Sequence, residues 1–148
     1  MSVLTIEDAK LHQKIDHDDE DSDIQSKLDA AELMVAQFIG RYFYPDQNAL
    51  NTAFDQIDLI QQRFETEYQK LLDKSESNSK LYEKLAKQKK YDNDRQISMI
   101  VNGLVINPLI RAGVLLTFGY FYETREDFED LPQSVKNVVQ PFRVDLGV

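Results

Sequence analysis

Asp21-Ser22-Asp23-Ile24-Gln25-Ser26-Lys27-Leu28-Asp29-Ala30-Ala31-Glu32-Leu33-Met34-Val35-Ala36-Gln37-Phe38-Ile39-Gly40 is the stretch that decides the fold class. Within it Ile24, Leu28, Ala31, Val35 and Phe38 recur at steps of four, three, four and three. That spacing lays one apolar stripe along an α-helix. The acids of segment 16–23 stand where this helix starts, where negative charge complements the macrodipole and offers N-cap acceptors. Gly40 stands where a helix ends on a residue of positive φ.

The flanks carry the same period. Thr5, with Asp8 three residues on, is a capping box that opens a short helix over 6–14. Asp46 caps a third, long helix in which Leu50, Phe54, Ile57, Phe64, Tyr68 and Leu71 keep helical spacing to about Leu72. The polar, Ser-rich 73–79 reads as a loop, and 80–91 as a short lysine-rich helix with a thin apolar edge of Leu81 and Leu85. Then Ile97–Val101 and Leu104–Ile106 flank Asn102-Gly103. Asn-Gly between β-branched runs predicts a β-hairpin over 97–106, because both turn positions need φ > 0. Asn107-Pro108 reads as N-cap and N1 of a helix that is apolar almost all round over 109–122 and therefore buried on most faces. Pro132 starts a last helix and Pro141 stops it. The expected architecture is mainly α, a bundle of five to six helices with one β-hairpin near 97–106, in a single domain 1–148.

Composition excludes more than it assigns. A chain of 148 residues buries a core without staples, and with no cysteine there are no disulfides or thiolate metal sites. No apolar run approaches 18 residues and the N-terminus lacks a signal-peptide layout, so the expected setting is the bacterial cytoplasm. The net charge of −9 argues against tight nucleic-acid binding. That charge is uneven. Residues 1–32 hold 10 acids and 3 bases, whereas 80–95 set Lys80, Lys84, Lys87, Lys89, Lys90 and Arg95 against Glu83, Asp92 and Asp94.

No catalytic, cofactor or metal site is assigned. An EF-hand loop needs Gly at position 6 and Glu at position 12. Counting from Asp16 gives Asp21 and Lys27, and from Asp18 gives Asp23 and Asp29. His12 and His17, the two histidines, stand without a nucleophile motif, and there is no Gly-rich phosphate loop. The acidic run reads as a solvated cap or an electrostatic surface. In a symmetric assembly, Asp16, Asp18, Asp19 and Asp21 of one chain would meet Lys84, Lys87 and Lys90 of the next, a heterologous contact of the kind that closes rings. Arg125 and Arg143 are further interface candidates, since the planar guanidinium pairs bidentately with carboxylates.

The order of several weak segments carries a resemblance. They are Leu4-Thr5 with Glu7 to Lys10, Ile15-Asp16 with Asp18 to Asp21, and Gly40-Arg41. Tyr122-Glu123-Thr124-Arg125-Glu126, Leu131-Pro132 and Pro141-Phe142-Arg143 follow. Over about 3–43 and 107–143 the chain resembles the tailed-phage head–tail connector (adaptor) family. Segment 45–106 departs from that pattern and reads as an elaboration. The resemblance implies a structural virion protein without enzymatic activity or cofactor. Such a protein forms a ring, typically of twelve, under the portal at the virion neck, joins the capsid to a stopper or tail component, and extends the channel through which DNA passes without specific binding. No membrane is involved. The C-terminal Phe142, Arg143, Val144 and Leu146 are the portal-docking candidates, in a tail expected to order on docking. The reading from another class is a small helical regulatory or scaffold protein that binds a phage or host partner.

Overall fold

A computed structural model of the chain describes residues 3–75, 79–124 and 130–144. The striped stretch is helix α2, Asp21–Ile39, and it follows α1, Ile6–Gln13. Thr5 and Asp8 form the capping box in both directions. Chain reversal after α1 uses Lys14 in the left-handed region, with the Ile15 N–H returning to the Lys10 carbonyl at 2.9 Å. Gly40 ends α2 at φ 70°. Ile24, Leu28, Ala31, Val35 and Ile39 are fully buried. Phe38 is half-buried at the edge of the core.

The cover for that stripe comes from the far end of the sequence. Helix α6, Pro108–Glu123, packs along α2, and the short α7, Gln133–Val139, packs on α6. Asn107 caps α6 by accepting from the Leu109 and Ile110 N–H groups, with Pro108 in the first turn, as expected from sequence. Ile110, Val114 and Phe118 from α6, with Val135 and Val139 from α7, are fully buried in the same core cluster as the α2 stripe. A buried aliphatic or Phe side chain contributes about 1.5–3 kcal/mol, so this seam dominates stability. A 3₁₀ turn over Gln140–Phe142 brings the chain back to α2, where the Val144 N–H donates to the Ile39 carbonyl at 2.8 Å.

Between the two halves of this core stands an arm. Helices α3, Gln47–Asp55, and α4, Ile57–Ser75, divide the expected third helix at Gln56. The antiparallel partner of α4 is α5, Ser79–Val101. At 1.5 Å per residue α4 and α5 are about 28 and 34 Å long. No residue of α4 is fully buried, because α5 is the one long neighbour it has to pack on.

The β-hairpin expected over 97–106 does not form. Residues 97–101 continue α5, and the two short strands, β1 (Phe43–Tyr44) and β2 (Leu104–Val105), pair in parallel with Phe43 opposite Leu104 and Tyr44 opposite Val105. Gly103 is therefore not a tight-turn residue of positive φ. It ends α5, its N–H donating to the Ile100 carbonyl at 2.8 Å. A Cβ there would lie 2.9 Å from the Tyr44 ring and 2.7 Å from the Ile100 oxygen, so glycine answers a close approach rather than a turn type. The same parallel pair ties the base of the arm to the end of α2.

One position sets the α6–α7 spacing. A Cβ on buried Gly113 would overlap the Val139 side chain. Gly113→Ala gains about 1 kcal/mol of helix propensity but overpacks the seam by about 1–3 kcal/mol. Thermal denaturation should show a lower Tm for Gly113→Ala, and much of that loss should return in Gly113→Ala/Val139→Ala, where the methyl has room.

Candidate assembly surfaces

The acidic run forms the joint between α1 and α2, and Asp16, Asp18, Asp19 and Glu20 are exposed. It is not simply solvated. Lys10 of α1 reaches over it, 2.6 Å from Asp18 and in contact with Asp21. Hydrogen bonding to Lys10 holds the Asp18 carboxyl below its usual value, and hydrogen bonding to Asp18 and then Asp21 raises the Lys10 ammonium. Glu20 accepts from the Tyr122 hydroxyl at 2.9 Å, which fastens the loop to the C-terminal end of α6. Lys27 is 2.6 Å from Asp23 and also lies over the Tyr122 ring. Asp16 and Asp19 make no ion pair or hydrogen bond among the described residues, so the loop keeps a negative edge.

The N-terminal segment is held by a buried carboxylate. Glu32, 8% exposed on α2, accepts from the Val3 N–H at 2.9 Å and the Leu4 N–H at 2.7 Å. Burial raises its pKa, opposed by those two hydrogen bonds. Nearby, Asp8 of the capping box also meets Arg111 of α6. Its burial works against the charge, but the Thr5 N–H and Arg111 prevail and lower its pKa. Beside Glu32 runs an apolar groove of about 610 Å³, lined by Leu33, Ala36, Tyr42, Phe43, Tyr44 and Pro45 among others.

On the arm, the side of α5 that faces α4 carries Tyr82, Ala86, Lys89 and Asn93. Lys89 pairs with Glu67, Asn93 donates to Gln61 at 3.1 Å, and Lys74 lies over the Tyr82 ring. Lys84, Lys87 and Lys90 are all exposed. Arg143 is exposed and lies over the Phe38 ring at 5.1 Å. Its partner in the chain is thus an aromatic face at the end of α2, not a carboxylate. Phe142 and Val144 are half-buried against the body of the protein, so these tail residues are seated without a partner. Arg125 and Leu146 lie outside the described residues.

Sequence reasoning brought the acidic and basic candidates forward but missed their anchors. Lys10 pairs across eight and eleven residues, and Glu32 across twenty-eight and twenty-nine, separations with no local signal. Lys80 and Tyr91 lie on the helix expected over 80–91, and half-buried Arg95 joins their side of α5 only because that helix runs on to Val101. Among the described residues no group of three or more His, Asp or Glu is placed to hold a metal ion. No helix among them is long and apolar enough to cross a membrane.

Two measurements follow from these anchors. In Lys10→Met the Asp18 carboxyl should titrate higher, back toward an ordinary aspartate, in a carboxyl-detected NMR titration. The lowered Asp8 pKa means the folded state holds fewer protons than the unfolded one as pH falls. The stability that Asp8 supplies is present above its unfolded pKa and lost as pH drops through its folded pKa. Asp8→Asn should therefore lower stability at neutral pH and flatten its fall below about pH 4, measured by urea denaturation across pH.

A family model, phage gp6-like head-tail connector protein, matches residues 3–105. The match runs from the Glu32-anchored segment through the arm to the end of β2 and stops before α6. It contains the first stretch of the sequence resemblance, 3–43, and not the second. No curated protein and no solved structure matches the chain. With well over half of its length inside that match, the chain belongs to the phage gp6-like head-tail connector family, structural proteins of the virion that act at the neck where head meets tail.

Proposed function

We propose that this protein assembles as a closed ring under the portal, with twelve copies on the virion. There it joins the capsid to the stopper or tail-completion component and lengthens the DNA channel. The family match carries this reading. Two features of the chain support it. Its apolar core is closed within each subunit by α2, α6 and α7, which leaves the arm, the exposed charged residues and the apolar groove beside Glu32 for contacts between subunits. Its net charge of −9 suits a wall past which phosphate slides rather than binds.

The portal contact falls to the C-terminal candidates Phe142, Arg143, Val144 and Leu146. The first three lie along the end of α2, so docking there would engage a preformed surface of Arg143 and Phe38, with the residues beyond Val144 added to it. Assembly would take place in the host cytoplasm before the ring is built into the neck.

Negative-stain electron microscopy of the purified chain, alone and with its cognate portal ring, tests the reading. Closed rings with a central hole are expected, at least on the portal. Compact single particles in both samples would overturn it and favour a regulatory or scaffold protein. Arg143→Glu should weaken capture by the portal while leaving subunit folding intact, checked by co-sedimentation beside circular dichroism.

A further inference from the structure

Lys80, Lys84, Lys87, Tyr91 and Arg95 follow one another at steps of four, three, four and four along α5. They occupy the side of the helix opposite Tyr82, Ala86, Lys89 and Asn93, which pack toward α4. The three lysines are exposed, Tyr91 is 44% exposed and Arg95 is half-buried. None of the five makes an ion pair or hydrogen bond among the described residues, whereas Lys89 on the packed side is paired with Glu67. The stripe is about 22 Å long. Glu83 and Asp94 flank it, and Lys90 lies between the two sides.

We propose that this face of α5 docks the acidic α1–α2 joint, residues 16–20, of a second copy of the chain. The pairing itself needs no ring. That it fixes the head-to-tail direction of one rests on the ring reading above.

Charge complementarity selects the occupant. Asp16 and Asp19 have no partner among the described residues, and Asp18 and Glu20 stand exposed beside them. Lys10 compensates this joint only in part. Five residues of extended chain span about 13–17 Å, which fits within the stripe. One chain does not satisfy itself. The joint is fastened to the end of α6 through Tyr122, while α5 packs on α4 and α3. Two different patches that complement each other only between copies make a heterologous contact, which propagates in one direction. Both patches are solvated, so the attraction steers and orients subunits and fades as salt shortens the Debye length to about 3 Å at 1 M. DNA is the competing anion for a basic helix face. A single stripe on a chain of net charge −9 favours a protein partner over a polyphosphate.

The chain has no cysteine, so single thiols report contacts cleanly. Full-length Lys87→Cys and Asp19→Cys are mixed at low salt and treated with a short bis-maleimide, with exposed Gln62→Cys on α4 replacing Lys87→Cys as control. A cross-linked dimer is expected from the first mixture and not from the control, with its yield lost at 1 M salt. Adding Lys80→Glu, Lys84→Glu and Arg95→Glu to the Lys87→Cys chain should cut the yield about tenfold or more. In sedimentation velocity, Lys80→Glu/Lys84→Glu/Lys87→Glu should self-associate less than the parent, and further Asp16→Lys/Asp19→Lys in the same chain should restore association. Equal cross-linking in the control, or none at all, overturns the pairing. If rings still form in the microscope from the charge-reversed chain, the ring reading survives without this contact. If the cross-link forms while no rings appear, even on the portal, the pairing stands and the ring reading falls. Duplex DNA bound by the parent and released by the same Lys→Glu changes, with no cross-link formed, would give this face to DNA instead.

Discussion

Burial of the α2 stripe by α6 is the constraint on which the other features depend. Ile24, Leu28, Val35 and Ile39 lose contact with solvent because Ile110, Val114 and Phe118 arrive from the other end of the chain, backed by Val135 and Val139. Neither half can bury its own apolar face alone, so the seam forms as a cooperative unit. Once it exists, its ends become attachment points. Glu32 collects the backbone of Val3 and Leu4, Asp8 and Arg111 join α1 to α6, and the last carbonyl of α2 receives the Val144 N–H. These polar contacts are secondary in energy but specific in geometry. They decide where the two ends of the described chain lie relative to the core.

The arm obeys a different balance. Two helices in contact cover one face of each, so α4 has no fully buried residue while Phe64 and Tyr68 stack at 5.2 Å and Lys89 meets Glu67. Such a pair has little surplus stability and leans on its base, where Met99 and Ile100 are buried and the parallel β1–β2 pair fixes the chain. It also leaves three sides of each helix to solvent. A long helix pair that buries little of itself is free to contact other molecules, since few of its surface positions are committed to the fold.

Legibility in the sequence followed the range of the interaction. The α2 stripe, the Thr5–Asp8 box, the Asn107-Pro108 start and the Gly40 stop are written within a few residues, and the structure has each of them. The parallel pairing of Phe43 with Leu104 is not local, and no turn chemistry encodes it. Asn102-Gly103 between β-branched residues imitates a hairpin, yet its glycine is required by the Tyr44 ring and the Ile100 carbonyl. The β-branched residues of 97–101 extend a helix because Met99 and Ile100 are buried there, a case of tertiary burial overriding local preference. Among the candidate surface residues, position was legible and partnership was not. Arg143 was expected opposite a carboxylate and lies on Phe38, a contact set by the return of the chain to α2 after the 3₁₀ turn.

Net charge and charge pattern point in opposite directions for an assembly of this chain, and pattern must prevail. Identical subunits of charge −9 repel as a whole, and that repulsion grows with every copy added. Within a Debye length of about 8 Å at physiological salt, however, a neighbour senses only the nearest patch. The fold places its excess acid at the α1–α2 joint and its unpaired base along an outer face of α5, on elements that do not pack on each other strongly. Lys10 sharpens this division, because by pairing with Asp18 and Asp21 it leaves Asp16 and Asp19 as the unpaired acids of the joint among the described residues. Long-range repulsion then weakens association in every orientation, while short-range complementarity favours the one in which the two patches meet.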